Sequence, residues 1–239
     1  MLIPLTRKKF EELIPTIATG NQYKHYWGKF PDFLRRLLIS VIGVVVAFFA
    51  RIATLGSSSG ILIFALGITV GTYWLWGPIF WASRRNATYR KHPYSGFWQG
   101  RVLDIYVTDD VVGTEETVNS RGELVIVENR ERRLNIEVGD KTGFYTELQV
   151  PIRREYRAIR PGQIALMLVM SDRPDLSQIL QTSDIYIPKL KLWVSDYPCL
   201  RRDVFEEVSQ TLRKRRTSSS SESRSARRPT RSRMEYDPY

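Results

Sequence analysis

Two uncharged apolar runs, Leu37–Ala50 and Ile61–Ala82, stand close together in the first third of the chain, divided by the Gly/Ser segment Gly56–Gly60. The second holds 22 residues. At about 1.5 Å of rise per helical residue it reaches across a hydrocarbon core of about 30 Å. The first runs 14 residues before Arg51. Phe33 and Leu34 ahead of it and Ile52–Leu55 behind complete a span if Arg51 snorkels to the far interface. The pattern predicts a transmembrane helical hairpin over residues 31–85. Small residues lie at helical spacing in both runs, Gly43 and Ala47 in the first and Gly67 and Gly71 in the second. They allow close backbone approach, so they predict packing of the hairpin on itself, or docking onto a larger membrane complex. Gly77-Pro78 predicts a kink near the exit of the second helix.

Outside the hairpin the period changes twice. In residues 1–30, Phe10, Leu13, Ile14 and Ile17 fall at i, i+3, i+4 and i+7, one face of a helix with Thr6 as N-cap and Gly20-Asn21 as stop. Beside lysines and ahead of a span, this reads as an amphipathic interfacial segment, with packing on the protein's own soluble domain as the rival. From Tyr94 to Tyr197 the period is 2: Val102, Asp104 and Tyr106 alternate with Leu103, Ile105 and Val107, and Leu134, Ile136 and Val138 repeat the pattern. Gly139–Gly143 reads as a hairpin loop and Pro161-Gly162 as a type II turn, while Ile185–Val194 reads as one extended run with Pro188 at an edge or bulge. Six or seven short strands without alternating helices predict a small antiparallel β-barrel or sandwich, OB- or SH3-like. A closing helix follows over 200–212, with Val204, Phe205, Val208 and Leu212 on its apolar side. The expected fold is therefore an α+β membrane protein with a cytoplasmic β-rich domain over 94–212.

Charge orients the hairpin. Lys/Arg residues cluster before the first span, ending in Arg35 and Arg36, and after the second, beginning with Arg84 and Arg85, while the connecting segment carries none. The positive-inside rule puts both termini in the cytoplasm, on a thylakoid or plasma membrane. Trp74, Trp76 and Trp81 belong with these arginines to the expected membrane interface. The net charge of +11 is uneven, because nine Lys/Arg face one Glu222 between residues 213 and 233. These are Arg213, Lys214, Arg215, Arg216, Arg224, Arg227, Arg228, Arg231 and Arg233. So little apolar surface cannot offset the entropy of ordering, so 213–239 reads as a disordered tail. Held beside a membrane it suits anionic lipid or an acidic protein surface. Phosphates of nucleic acid are the alternative, disfavoured because no aromatic residues interleave with the arginines for base stacking. Phosphorylation of the serine run would weaken either contact.

Catalytic signatures are missing: no Walker loop, Rossmann glycine pattern, HExxH or GxSxG occurs. The lone Cys199 leaves no disulfide framework and no multi-cysteine metal site. His25 and His92 flank the hairpin and could ligate a haem or chlorophyll, but read more simply as interfacial side chains. Asp109–Asp110 and Glu115–Glu116 read as a solvated acidic turn. No cofactor, metal site or catalytic residue is expected. The function that follows is a non-enzymatic membrane-anchored adaptor or assembly factor working on a membrane protein complex or anionic lipid, with an oligomer allowed. The alternatives are a small transporter or channel subunit and a membrane-tethered nucleic-acid binder.

The stretch PLTRKKFEELIPTIATGNQYKHYWGKFPDFLRRLLIS resembles an uncharacterised family of cyanobacterial two-span membrane proteins often labelled "phosphate ABC transporter permease", over about the first 200 residues. That label implies a multi-span subunit whose cytoplasmic coupling helix docks onto an ATPase. This chain departs from it, having two spans and a β-rich domain.

Overall fold

The long apolar runs fold as helices and the alternating region as one antiparallel sheet, in a computed structural model that describes residues 1–28, 30–54, 60–118 and 121–213. The chain divides into two units, Met1–Leu200 and Arg201–Tyr239. In the first unit, β1 (Leu2–Leu5) leads into α1 (Arg7–Leu13) and α2 (Gly20–Trp27). Three further helices follow: α3 (Phe30–Ala53), α4 (Gly60–Gly71) and α5 (Tyr73–Arg90). The sheet continues with β2 (Tyr94–Val118), β3 (Leu124–Gly139), β4 (Tyr145–Pro151), β5 (Ile164–Ser171), β6 (Gln181–Thr182), β7 (Ile185–Ile187) and β8 (Leu192–Val194). In the second unit, residues 202–213 form α6. The architecture is thus α+β, with apolar helices, an antiparallel sheet and a C-terminal helix.

The second apolar run departs from expectation. It is not one straight 22-residue helix: α4 and α5 meet at a 74° bend. Among the described residues α3 is the one single helix long and apolar enough to cross a membrane, about 36 Å at 1.5 Å per residue, while α4 and α5 reach that length only as a bent pair. α4, at about 18 Å, falls short of that. The bend falls at Gly71-Thr72 rather than Gly77-Pro78, and Pro78 lies inside α5. A proline ring strikes the carbonyl four residues earlier, here Trp74, so its disturbance falls on the preceding turn.

Strand order is β4-β3-β2-β5-β7-β8, with β1 also pairing β2 and β6 pairing β5. Among the described residues no pairing joins β8 back to β4, so of the expected barrel or sandwich the structure shows one antiparallel sheet and no closed barrel. A bulge between Val102 and Asp104 explains the two apolar runs in β2. It turns Leu103 outward while Val102 stays buried and Ile105 packs against the core. That core joins Trp98, Val102, Leu134, Ile136, Val138 and Val150 to Ala165, Met167 and Val169 of β5. Leu166, Leu168 and Met170 are buried on the opposite face of β5, so the sheet is covered on both sides there.

Three other local expectations change. Ile185–Val194 is a hairpin, with Pro188 opening its turn and Leu190 N–H donating to Ile187 O. Asp109–Asp110 and Glu115–Glu116 lie in strand β2, opposite β3 residues that include Arg132 and Glu131. Gly20 starts a helix instead of stopping one, because Thr19 and Gln22 form a reciprocal capping box there. Of the N-terminal stripe, Phe10, Leu13 and Ile14 are wholly buried within the fold, while Ile17 is exposed.

Candidate membrane-facing site

α3 and α4 pack through small residues. A Cβ on Gly43 would lie 2.1 Å from Val70 Cγ1, one on Gly71 2.8 Å from Val44 Cγ2, and one on Gly67 3.2 Å from Ala47 Cβ. The four small residues named from sequence therefore lie in one seam, where the helices meet closer than side chains would allow. The outer faces are uncovered: Phe49 is 63 % exposed, Ile61 81 % and Leu62 73 %. A patch of this size and character in water is strongly unfavourable. Arg51 reaches the start of α4, its guanidinium carbon 2.9 Å from where a Gly60 Cβ would stand.

Polar groups at the α4–α5 bend find partners. Ser40, buried on α3, accepts the Trp74 N–H at 3.1 Å. Trp76 Nε1 donates to Thr69 O at 2.9 Å, and Thr72 Oγ1 donates to Ile68 O at 2.9 Å. Backbone freed by a helix break is tolerated in an apolar setting only when satisfied in this way.

Aromatic rings and arginines gather around the bend. Trp27 stacks on Phe33, and Trp74 meets both rings edge-on. The Arg36 guanidinium lies 5.6 Å from the Trp27 ring and donates to the Tyr26 and Trp27 carbonyls, which satisfies the end of α2. Along α5 the rings of Tyr73, Trp76, Phe80 and Trp81 follow edge to face. Arg84 sits over Trp81 at 5.8 Å and Arg85 over Tyr197 at 4.2 Å. Arg35 is exposed at the head of α3. Of the arginines and tryptophans assigned from sequence to the interface, Arg36, Trp74, Trp76, Trp81, Arg84 and Arg85 take part in these ring and cation contacts along the α2–α3 turn and α5.

The buried face of α5 is tied to the sheet by a polar network that sequence reading missed. Gln22 and Asn86, both fully buried, exchange amide hydrogen bonds: Gln22 Nε2 to Asn86 Oδ1 at 3.0 Å, and Asn86 Nδ2 to Gln22 Oε1 at 2.9 Å. Tyr197 donates to Asn86 Oδ1 at 3.0 Å, and Gln22 Nε2 reaches Cys199 O at 3.2 Å. Asp184 Oδ1 accepts the Cys199 N–H at 3.2 Å and its thiol at 3.1 Å. Burial, and then the neighbouring Asp184 carboxylate, pushes the Cys199 thiol far above its usual range, so it is an inert structural donor. Burial lowers the half-buried His25 against the pull of Asp196, with Arg85 and Arg153 adding to the fall. One trace was legible in the sequence: Asn86 continues the stripe Pro78, Ala82, Tyr89 as the one polar member.

The two histidines stand apart in role. His25 packs edge-on against Tyr26 and Tyr197, while His92 Nδ1 pairs with Asp172 Oδ1 at 2.7 Å. Among the described residues no group of three or more His, Cys, Asp or Glu side chains is placed to hold a metal ion.

At the far side of the sheet, β2 and β3 outrun their neighbours. β5 pairs β2 only up to Arg101, and β4 pairs β3 only from Arg133. Beyond that, among the described residues, strand segments 109–118 and 124–132 pair only with each other, a two-stranded ribbon about 30 Å long that Gln149 of β4 meets at its base by donating to Asp110 Oδ2. Val118, Leu124 (71 % exposed) and Ile126 (65 % exposed) stand on one face near its end. Of the expected basic tail, Arg213 ends α6, while Lys214, Arg215, Arg216, Arg224, Arg227, Arg228, Arg231 and Arg233 lie outside the described residues.

No curated protein and no solved structure matches the chain. Residues 3–217 match the profile of a family of unknown function, DUF8619, and the chain belongs to that family.

Proposed function

We propose that this protein is a non-enzymatic, membrane-anchored adaptor: α3 and α4 hold it in a bilayer, and the sheet offers its ribbon to a membrane protein complex. The outward-facing apolar surface of α3 and α4 carries the reading, because the same chain buries the core of its sheet in the ordinary way. Lipid is the solvent that suits such a surface. Arg35 and Arg36 stand at the head of α3 and Arg84 and Arg85 on α5, and this cationic bias supports a cytoplasmic side for the termini and the sheet, at a thylakoid or plasma membrane. The ribbon suits docking, since an isolated two-stranded hairpin gains little stability in water and this one exposes aliphatic side chains near its end.

A transporter-subunit reading would call on the bend as a discontinuous helix. The bend's backbone groups are occupied by Ser40, Thr72 and Trp76, which leaves little there to coordinate a solute. The test is a mild-detergent affinity purification of full-length protein from its native membranes, beside a variant carrying Val118→Ser, Leu124→Ser and Ile126→Ser. A stoichiometric complex recovered with the native chain and lost with the variant supports the adaptor. Release of the protein from membranes by alkaline carbonate removes the anchor, and with it the reading.

A further inference from the structure

The 74° bend sets α5 nearly at right angles to α4. If α4 runs along α3 through the bilayer, α5 then lies almost in the plane of the membrane surface. Its two sides suit that placement. Pro78, Ala82, Asn86 and Tyr89 are buried toward the protein. The opposite stripe, spaced three and four residues apart, runs Tyr73, Trp76, Phe80, Arg84, Ala87 and Lys91, aromatic at its start and cationic at its end. Tryptophan, phenylalanine and snorkelling cations in this order are what an interfacial helix presents.

Beside the cationic end, residues 16–18 fold against α5, with Ala18 N–H donating to Ser83 Oγ at 3.2 Å. Between them opens a cleft of about 190 Å³ lined by Thr16, Ala87, Arg90 and Lys91. Arg90 is committed to the carbonyls of Glu11 and Ile14 and to the Glu11 carboxylate, so its charge is partly met. Among the described residues no carboxylate pairs with Lys91 or Arg84, and both are exposed. Ile17, next in the chain to the lining residue Thr16, is 72 % exposed. The cleft thus offers an ammonium and the Thr16 hydroxyl at the level where lipid phosphates lie.

We propose that α5 rests in the membrane–water interface and that this cleft, with Lys91 and Arg84, takes the phosphate headgroup of an acidic phospholipid. The inference rests on the anchor reading and deepens it, naming the lipid class that the anchor selects. An anionic headgroup is favoured at such a site by about 1 kcal/mol per cation near the surface, roughly 30-fold for two cations acting fully and less when screened.

The test uses the full chain in nanodiscs of phosphatidylcholine containing phosphatidylglycerol. Spin labels at Tyr73→Cys and Phe80→Cys, on one face and about 10 Å apart along the axis, report depth. A helix in the plane gives depths within about 3 Å of each other, and a crossing helix gives about 10 Å. Quenching of the Trp81 region by brominated phosphatidylglycerol, compared with brominated phosphatidylcholine, reports local lipid composition. We expect at least a threefold local enrichment of the acidic lipid, abolished in R84Q/K91Q and kept in R84K/K91R, which controls for folding. A depth difference near 10 Å overturns the proposal, as does an enrichment that survives R84Q/K91Q or is missing from the native chain. Either result leaves carbonate-resistant membrane association intact, whereas loss of that association would mean the anchor itself had failed.

Discussion

Replacing Asn86 by leucine tests whether the buried amide network fastens the helices to the sheet. Leucine keeps the branched shape of asparagine but its methyl groups are bulkier than the amide, so at this fully buried site some overpacking strain adds to the polar loss. Three hydrogen bonds go: the two exchanged with Gln22 and the one from Tyr197. Each contributes about 1 kcal/mol net, with larger penalties reserved for buried groups left without any partner. Here none is stranded. Gln22 Nε2 keeps Cys199 O, Gln22 Oε1 keeps the Thr19 N–H, and Tyr197 keeps Ala82 O at 3.3 Å. The lost bonds alone cost about 3 kcal/mol, a fall in Tm of at least about 6 °C for a domain of this size. Asn86→Asp should cost more near neutral pH, because a carboxylate cannot donate to Gln22 Oε1 and its charge is buried. In that variant the folded carboxyl titrates above its unfolded value, so stability falls as pH rises from about 4. Thermal unfolding of full-length protein in detergent, followed by near-ultraviolet circular dichroism between pH 4 and 8, reads both. A shift below about 2 °C for N86L, or N86D no worse than N86L at pH 7, would refute the reasoning.

In the helix seam the glycine geometry predicts a graded series. Gly43→Ala should destabilise most, by about 1–3 kcal/mol, then Gly71→Ala and least Gly67→Ala, with Val70→Ala rescuing Gly43→Ala in a double-mutant cycle of unfolding in mixed micelles. An equal cost at all three positions would count against the seam. Burial would raise the Asp140 carboxyl, but the Thr142 hydroxyl and N–H and the Met1 ammonium outweigh it and hold it at about 2. Its folded value lies below its unfolded one, so the stability it contributes is full above about pH 4 and fades as pH falls toward 2. Asp140→Asn should flatten that acid limb of the Tm–pH curve and also weaken the hold on Trp98 Nε1, which donates to Asp140 at 3.0 Å. Replacing residues 109–132 by a short turn should leave the Tm of the remaining protein within about 3 °C, since among the described residues those strands pair only with each other and the exposed Gln149–Asp110 bond is the side-chain tie to β4 that is lost. A larger loss would show that the sheet leans on the ribbon.

Much of the fold was legible because its signals are local. A run without charges marks an apolar helix, and Gly139–Gly143 and Pro161-Gly162 mark turns with the positive φ that Gly143 and Gly162 adopt. The bend was not legible in this way. An uncharged run reads the same whether straight or broken, and the hydroxyl that meets the freed Trp74 N–H belongs to Ser40, 34 residues earlier. The acidic stretch of β2 read as a loop because its charges hid the strand period. Its cross-strand neighbours supply part of the compensation, as where Arg132 approaches Asp109 at 3.4 Å. The amide network joins residues 64 and 177 positions apart, a pairing that no window along the chain can reveal.

α5 belongs to both halves of the first unit, and that constrains how the protein can work. Its first turns are fixed to α3 through Ser40 and the Trp27–Phe33–Trp74 rings. Its later turns are fixed to the sheet side through Asn86, Tyr197 and the Arg85–Tyr197 stack. Both fastenings are polar groups satisfied inside the fold, and such groups favour one arrangement because any sliding would leave donors unpaired. A load or partner acting on the sheet is therefore transmitted to the helices through α5 without a soft joint between them. The freedom to adapt to a partner then falls to the ribbon, whose strands pair, among the described residues, only with one another and are tied to β4 at the base by the Gln149–Asp110 hydrogen bond. Stiff fastenings along α5 beside a compliant ribbon are the mechanical arrangement that the proposed adaptor role would need, and the stiffness comes from where the buried amides sit.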